Sequence, residues 1–403
     1  LDYSEFIGES LTYALSKVTD ETPVLLPSSF PNLNFVEYMM KDINTTQIGW
    51  DLVEKIYPLI TDGDIVSAFK NAILREQTDY ETDGISLINQ QGISSNKTYY
   101  VKNFNEGWFY GSNLKYVKEV RINTSSCYGI FSNTNVEKVG DIYITCTNHK
   151  YFAGISSLFY QCKKLISVGN ITYDENNVEG EVNLSLIFRA CPLLETIGTI
   201  TVLNQNGNKS LGEAFRGCTK LTGDIDLSEI KDVTNLGNVV QDCKALNSVK
   251  FPSDLSKVTS MDASLCGSKI NEVDLGSLSL ATSLTNLHDI CNGAIITNLK
   301  GFNAIPDSVT TLCTAFRGAN INNGNFVLPK FTSGSSCEHL GGAFSGGSNV
   351  QLPSTFTIPA TMKYLDTMCA ENKNMPKTLI LDCSNATDIL KNREVFRNCQ
   401  GLE

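Results

Sequence analysis

Phe215-Arg-Gly-Cys218-Thr-Lys-Leu221 decides the fold, because the chain writes this phrase repeatedly. Close copies stand at Phe159-Tyr-Gln-Cys162-Lys-Lys-Leu165, Phe188-Arg-Ala-Cys191-Pro-Leu-Leu194, Val240-Gln-Asp-Cys243-Lys-Ala-Leu246 and Phe396-Arg-Asn-Cys399-Gln-Gly-Leu402. With the apolar residue three before the cysteine as anchor, looser copies fall into line at Phe109, Phe131, Leu265, Ile290, Phe316, Phe344 and Met368. Neighbouring anchors lie between 22 residues apart (Phe109 to Phe131) and 29 apart (Phe159 to Phe188). A period of that size held over so many copies indicates a stacked solenoid, here of about twelve coils.

Each copy has two halves. Ahead of the cysteine, apolar pairs four residues apart, such as Leu184 and Phe188 or Leu211 and Phe215, put two side chains on one helical face and predict a turn or two of helix. After it comes period-two alternation, as in Leu246-Asn-Ser-Val249-Lys-Phe251, which predicts a short strand with one face inward. The cysteine position is filled elsewhere by Ser112, Thr134, Ser268, Gly293, Ala319, Gly347 and Glu371, mostly small residues. A small buried slot accounts for the cysteines without chemistry. The expected fold class is therefore an α/β solenoid.

The frame F-x-x-C-x-x-L-x-x-[IV]-x-[IL]-P, seen from Cys243 to Pro252, resembles the BspA-type leucine-rich repeats. The run from Ile305 through Leu312 to Phe316 is similar to the same type, and Leu221 through Leu236 is similar to a related form in bacterial lipoproteins. Such repeats occur on bacterial surface adhesins, on proteins of mucosal parasites and in bacteriophage-encoded proteins. The resemblance implies a leucine-rich-repeat array displayed at a cell surface or on a virion. It further implies binding or adhesion without catalysis.

The array occupies residues 105–403, stopping within a repeat. Residues 85–104 read as a β-like connector with a strand at Tyr99-Tyr100-Val101, and residues 1–84 as a small α-helical module. Its helices are expected from Phe6 to Val18, Leu33 to Ile43, Ile48 to Ile60 and Ile65 to Leu74, broken by Pro23, Pro27, Pro31 and Pro58. Such a module would cap the first coil or attach the array to a larger surface or virion assembly. Leu1 in place of Met and an ending inside a motif read as a piece of a longer polypeptide.

Among 403 residues 41% are hydrophobic, and the net charge is −11. That composition excludes wholesale disorder, and the acidity removes the electrostatic footprint of a nucleic-acid or anionic-lipid binder. No apolar run is long enough to insert in a membrane. Thirteen cysteines, an odd number, cannot all pair within the chain. Without CxxC spacing, and with only His149, His288 and His339, neither metal nor cofactor is expected.

Four local patterns have chemical readings, each weaker than its structural one. Asp79-Tyr-Glu81-Thr-Asp83-Gly84 begins an EF-hand frame, but Leu87 and Gln90 stand where ligands are needed. Gly341-Gly-Ala-Phe-Ser-Gly-Gly347 is glycine-rich but has no following lysine. The histidines lie far apart in a fold whose contacts join neighbouring coils. Asp226 and Asp274 fall two coils apart, a long separation for a glycosidase pair.

The informative surface is the strand position that repeats as Arg121, Tyr143, Thr172, Thr201, Asp226, Lys250 and Asp274, continuing to Gly301, Val327, Thr357 and Ile380. The first seven are the candidate ligand-binding stripe, with charge, hydroxyls and one ring suited to a host protein or glycan. The expected function is an extracellular, non-enzymatic recognition scaffold on a cell surface or virion. The alternatives are a structural spacer without a ligand, and a polysaccharide-degrading phage spike built as a parallel β-helix.

Overall fold

The computed structural model describes residues 35–37, 41, 64–66, 77–88, 98–100, 107–124, 127–146, 153–175 and 180–401. The chain divides into two compact units, Leu1–Gly207 and Asn208–Glu403. The architecture is a parallel β-solenoid of about ten turns with almost no helix.

In the first unit the long rungs are Tyr116–Thr124, Lys138–Cys146, Ile171–Asp174 and Ile200–Leu203, paired in parallel and in register. Alternation buries one face: Val120, Ile122, Ile142 and Ile144 all point inward. Ile85–Ile88 joins the same sheet, between Thr98–Tyr100 and Tyr116–Thr124. A shorter ladder pairs Ala153–Gly154 with Glu181–Asn183. In the second unit the long rungs are Asp224–Asp226, Leu246–Lys250, Lys269–Asp274 and Ile295–Lys300. Its short ladder runs as single bridges from Asn235 through Ser260, Asn286, Thr311, His339 and Tyr364 to Lys391.

The segment before each cysteine is not helical, which corrects the leucine-rich-repeat expectation. Residues two before and two after the anchor adopt the left-handed conformation, as Glu213 (φ 57) and Gly217 (φ 79) do around Phe215. Alternate amides then serve different partners. Those of Glu213, Phe215 and Gly217 donate to the carbonyls of Gly237, Val239 and Gln241 on the next rung, while those of Ala214, Arg216 and Cys218 close back three residues. Every backbone donor of the corner is satisfied without an α-helix. Two left-handed residues turn the chain so that Leu211 and Phe215 both face the core, which imitates the i,i+4 spacing of a helix.

The corner geometry also moves two anchors. Asp289 and Gly293 bracket Cys291 rather than Ile290, and Thr367 and Glu371 bracket Cys369 rather than Met368. Both cysteines are buried, and the small slot three residues on is filled by Ala294 and Asn372. After Phe344 the slot falls on buried Ser348, one residue beyond Gly347. The turns number about ten, not the twelve expected from the anchors.

Rings fill the interior of the first unit. Phe109, Phe131, Phe159 and Phe188 stack with centroids 5.9, 5.3 and 5.4 Å apart and planes within 9° of parallel. In the second unit Phe316 and Phe344 repeat the arrangement at 5.9 Å. Parallel rungs place identical residues above one another, so each ring covers its neighbour's face.

Within the expected helical module the described residues disagree with the helix reading. Phe35–Glu37 and Asp64–Val66 are strands paired in parallel, inside the segments expected to be the second helix and the start of the fourth. Their aromatic and β-branched residues favour pairing over helix. The first and third expected helices lie outside the described residues. The helix that is described is Tyr80–Asp83, capped by Asp79.

Candidate functional site

The long rungs carry the candidate stripe, and register decides which residues share it. In the first unit Arg121 pairs with Tyr143, Tyr143 with Thr172 and Thr172 with Thr201, so the four form one column. A close approach of the rungs positions it: a Cβ at Gly140 would lie 1.9 Å from the Lys118 carbonyl oxygen, so glycine is required there. The Arg121 guanidinium bonds Glu119 through Nε at 3.1 Å and Nη2 at 3.0 Å, and lies 5.4 Å from the centre of the Tyr143 ring. The Tyr143 hydroxyl donates to Asp174 Oδ2 at 3.3 Å, and Asn204 Nδ2 donates to Oδ1 at 2.7 Å. Arg121 and Thr201 are exposed, with Tyr143 and Thr172 half-buried between them.

In the second unit Asp226, Lys250 and Asp274 form a column, and its next member is Lys300, not Gly301. Gly301, at φ 81, is the turn residue after the strand. Val327 pairs with Gln351 in a single bridge. Thr357 pairs with Asp382, which leaves Ile380 two residues off the column, opposite Thr355. Coils of unequal length defeat a count from the anchor, and a slip of one residue changes the face.

This second column is an alternating charge ladder. Lys250 Nζ lies 3.2 Å from Asp226 and Lys300 Nζ 2.7 Å from Glu272. The Ser228 hydroxyl and then Lys250 hold the Asp226 carboxyl below its ordinary range, and Lys300 does the same for Glu272. Ser248 and Asn247 depress Asp224. Lys250 stands between Asp226 and Asp274, so the pair weighed as glycosidase carboxylates is separated by a cation. The anchor count missed Lys300 and Glu272, although the alternation in Ile295–Lys300 marks Lys300 as outward.

The remaining patterns are placed as follows. Asp79 accepts from the Thr82 amide at 2.9 Å, and Asp83 Oδ2 accepts from the Thr78 amide and hydroxyl at 2.9 and 2.8 Å, so both carboxylates cap backbone. His288 Nδ1 sits 3.1 Å from Asp262 and 3.2 Å from Asp289. Cys313 follows in the same column on the next rung, and burial pushes its thiol up. His339 Nδ1 accepts from the Gly341 amide at 3.2 Å, and its ring packs 4.9 Å from Tyr364. His149 lies outside the described residues. Among the described residues no group of three or more His, Cys, Asp or Glu side chains is arranged to hold a metal ion. None of the described helices is long and apolar enough to cross a membrane.

These features define a parallel β-solenoid with a polar, in-register column on its long rungs. No family model, curated protein or solved structure matches the chain.

Proposed function

We propose that the chain is a non-enzymatic recognition scaffold that presents the column Arg121–Tyr143–Thr172–Thr201 to a host protein or glycan. One observation carries this reading. The first-unit column combines an exposed guanidinium with an aromatic ring on adjacent rungs, a pairing enriched where proteins bind. In the second unit, Lys250 pairs with Asp226 on the preceding rung and Lys300 with Glu272 beside the column, and no ring lies among them. Display on a cell surface or virion is part of the proposal, and rests on the resemblance to BspA-type surface proteins.

The ion pairs between rungs of the second unit favour a second reading, a structural spacer without a ligand of its own. Binding of the fluorescently labelled chain to intact candidate host cells separates the two. The expected result is saturable binding that weakens at least about tenfold in an Arg121→Ala, Tyr143→Ala variant whose thermal unfolding is unchanged. No saturable binding by the folded wild type would favour the spacer. Release of reducing sugar from host polysaccharide would overturn the non-enzymatic part.

A further inference from the structure

The run Gly341-Gly-Ala-Phe-Ser-Gly-Gly347 lacks the following lysine that a phosphate-binding loop requires in sequence. The solenoid brings cations to it from the turns on either side. The place a Cβ of Gly346 would take is 3.2 Å from Arg317 Cγ and 3.4 Å from its Nε. That of Gly347 is 3.1 Å from Lys373 Cε and 3.3 Å from its Nζ. The rung order is set by the backbone: the Gly318 amide donates to Ser345, and those of Gly346 and Gly347 donate to Ala370 and Glu371. Arg317 thus comes from the preceding turn and Lys373 from the following one, and both lie along a step of the wall that has no side chains.

Gly346 and Gly347, at φ 64 and 82, hold the left-handed region that glycine adopts freely. Arg317 and Lys373 are exposed, and neither forms an ion pair among the described residues, in a chain of net charge −11. Glu371, two residues before Lys373, has its carboxylate held 3.1 Å from Arg397 on the next rung. Two exposed cations without an ion pair flank a bare backbone step, an arrangement that an oxyanion would complete through charge-assisted hydrogen bonds.

We propose that the Arg317–Gly346–Gly347–Lys373 step binds a sulfate or phosphate group, held by the two side chains because the glycine amides are committed to the next rung. The test is calorimetric titration of the full chain with inorganic sulfate, inorganic phosphate, a sulfated oligosaccharide and its unsulfated counterpart. The expected result is saturable binding of the charged probes, weakened by salt, and none of the unsulfated sugar. An Arg317→Gln, Lys373→Gln variant should lose at least about tenfold in affinity with thermal unfolding unchanged. Lys330→Gln, which removes an exposed cation elsewhere in the same unit, should bind like wild type. Full competition by inorganic sulfate identifies the free ion as sufficient, and binding of the sulfated sugar alone identifies an ester on a larger molecule. Absence of saturable binding, or equal loss in Lys330→Gln, would overturn the proposal. The Arg121→Ala, Tyr143→Ala variant leaves this site intact, so the two tests fail independently.

Discussion

Cys162 donates its Sγ–H to the Phe131 carbonyl oxygen on the preceding rung at 2.8 Å. Cys191, Cys243 and Cys399 repeat the contact with the carbonyls of Phe159, Phe215 and Cys369, at 3.0, 3.2 and 2.8 Å. A small side chain with a weak donor fits a slot that must be filled yet cannot leave the facing carbonyl in vacuum. Burial pushes the Cys162 and Cys243 thiols up to about 12. Among the described cysteines, native protein at pH 8 should therefore react with a thiol-specific disulfide reagent slowly and only at half-exposed positions such as Cys383 and Cys399. All 13 should react once guanidinium unfolds the chain. Mass mapping that found Cys162 labelled in the native state would contradict the slot. The slot was legible in the sequence, because Ser112, Thr134 and Ser268 alternate with cysteine at that position.

His339 is also settled at the scale of the residue. Its Nδ1 accepts the Gly341 amide, the role that Asn235 and Asn286 play for Gly237 and His288 on their rungs. Burial first, then the nearby His288, holds the His339 imidazole below its ordinary value of 6.5. The unfolded chain takes up this proton first as pH falls, so the stability His339 contributes is complete above pH 6.5. It is lost progressively as pH drops from there through the lower folded value. His339→Asn keeps an acceptor for Gly341 and removes the titration. Denaturant unfolding between pH 7 and 5 should show a smaller loss of stability in that variant than in wild type, and an equal loss would refute the assignment.

The ring stack belongs to the scale of the element. Phe159 lies between Phe131 at 5.3 Å and Phe188 at 5.4 Å and is fully buried, so Phe159→Ala opens a cavity and removes two ring contacts. It should cost about 3–5 kcal/mol. Phe396→Ala, at a half-buried copy of the same position, should cost clearly less. Equal shifts in the denaturant midpoints would mean that the stack is not cooperative. The corners show where sequence reading at this scale fails. Leu211 and Phe215 face one core as helix neighbours would, and only the positive φ angles of Glu213 and Gly217 distinguish the two backbones. Glu213 supplies no such signal, because αL is a rare conformation for a glutamate.

At the scale of the whole molecule, a net charge of −11 is distributed unevenly in its consequences. Along the second-unit column the charges alternate from rung to rung, and exposed pairs such as Lys250 with Asp226 add little stability. At the Gly346–Gly347 step Arg317 lies beside the first glycine and Lys373 beside the second. In the first unit the column holds a guanidinium, a ring and two hydroxyls. These three surfaces arise from one repeat, because the stack fixes where a column runs while each turn chooses its own residue.

By itself the sequence determined that this protein is a stack. Its recurring anchor and small slot leave no core that a single turn could close, and its alternating runs mark which residues face inward. Tertiary structure alone decided the rest: the backbone of the corners, the displacement of two anchors to Cys291 and Cys369, the replacement of Gly301 by Lys300, and the placing of Arg317 and Lys373 beside Gly346 and Gly347. The physical reason is common to all four. Period records which residues are buried, whereas register between turns of unequal length and the sign of φ depend on hydrogen bonds to a neighbouring rung about 25 residues away.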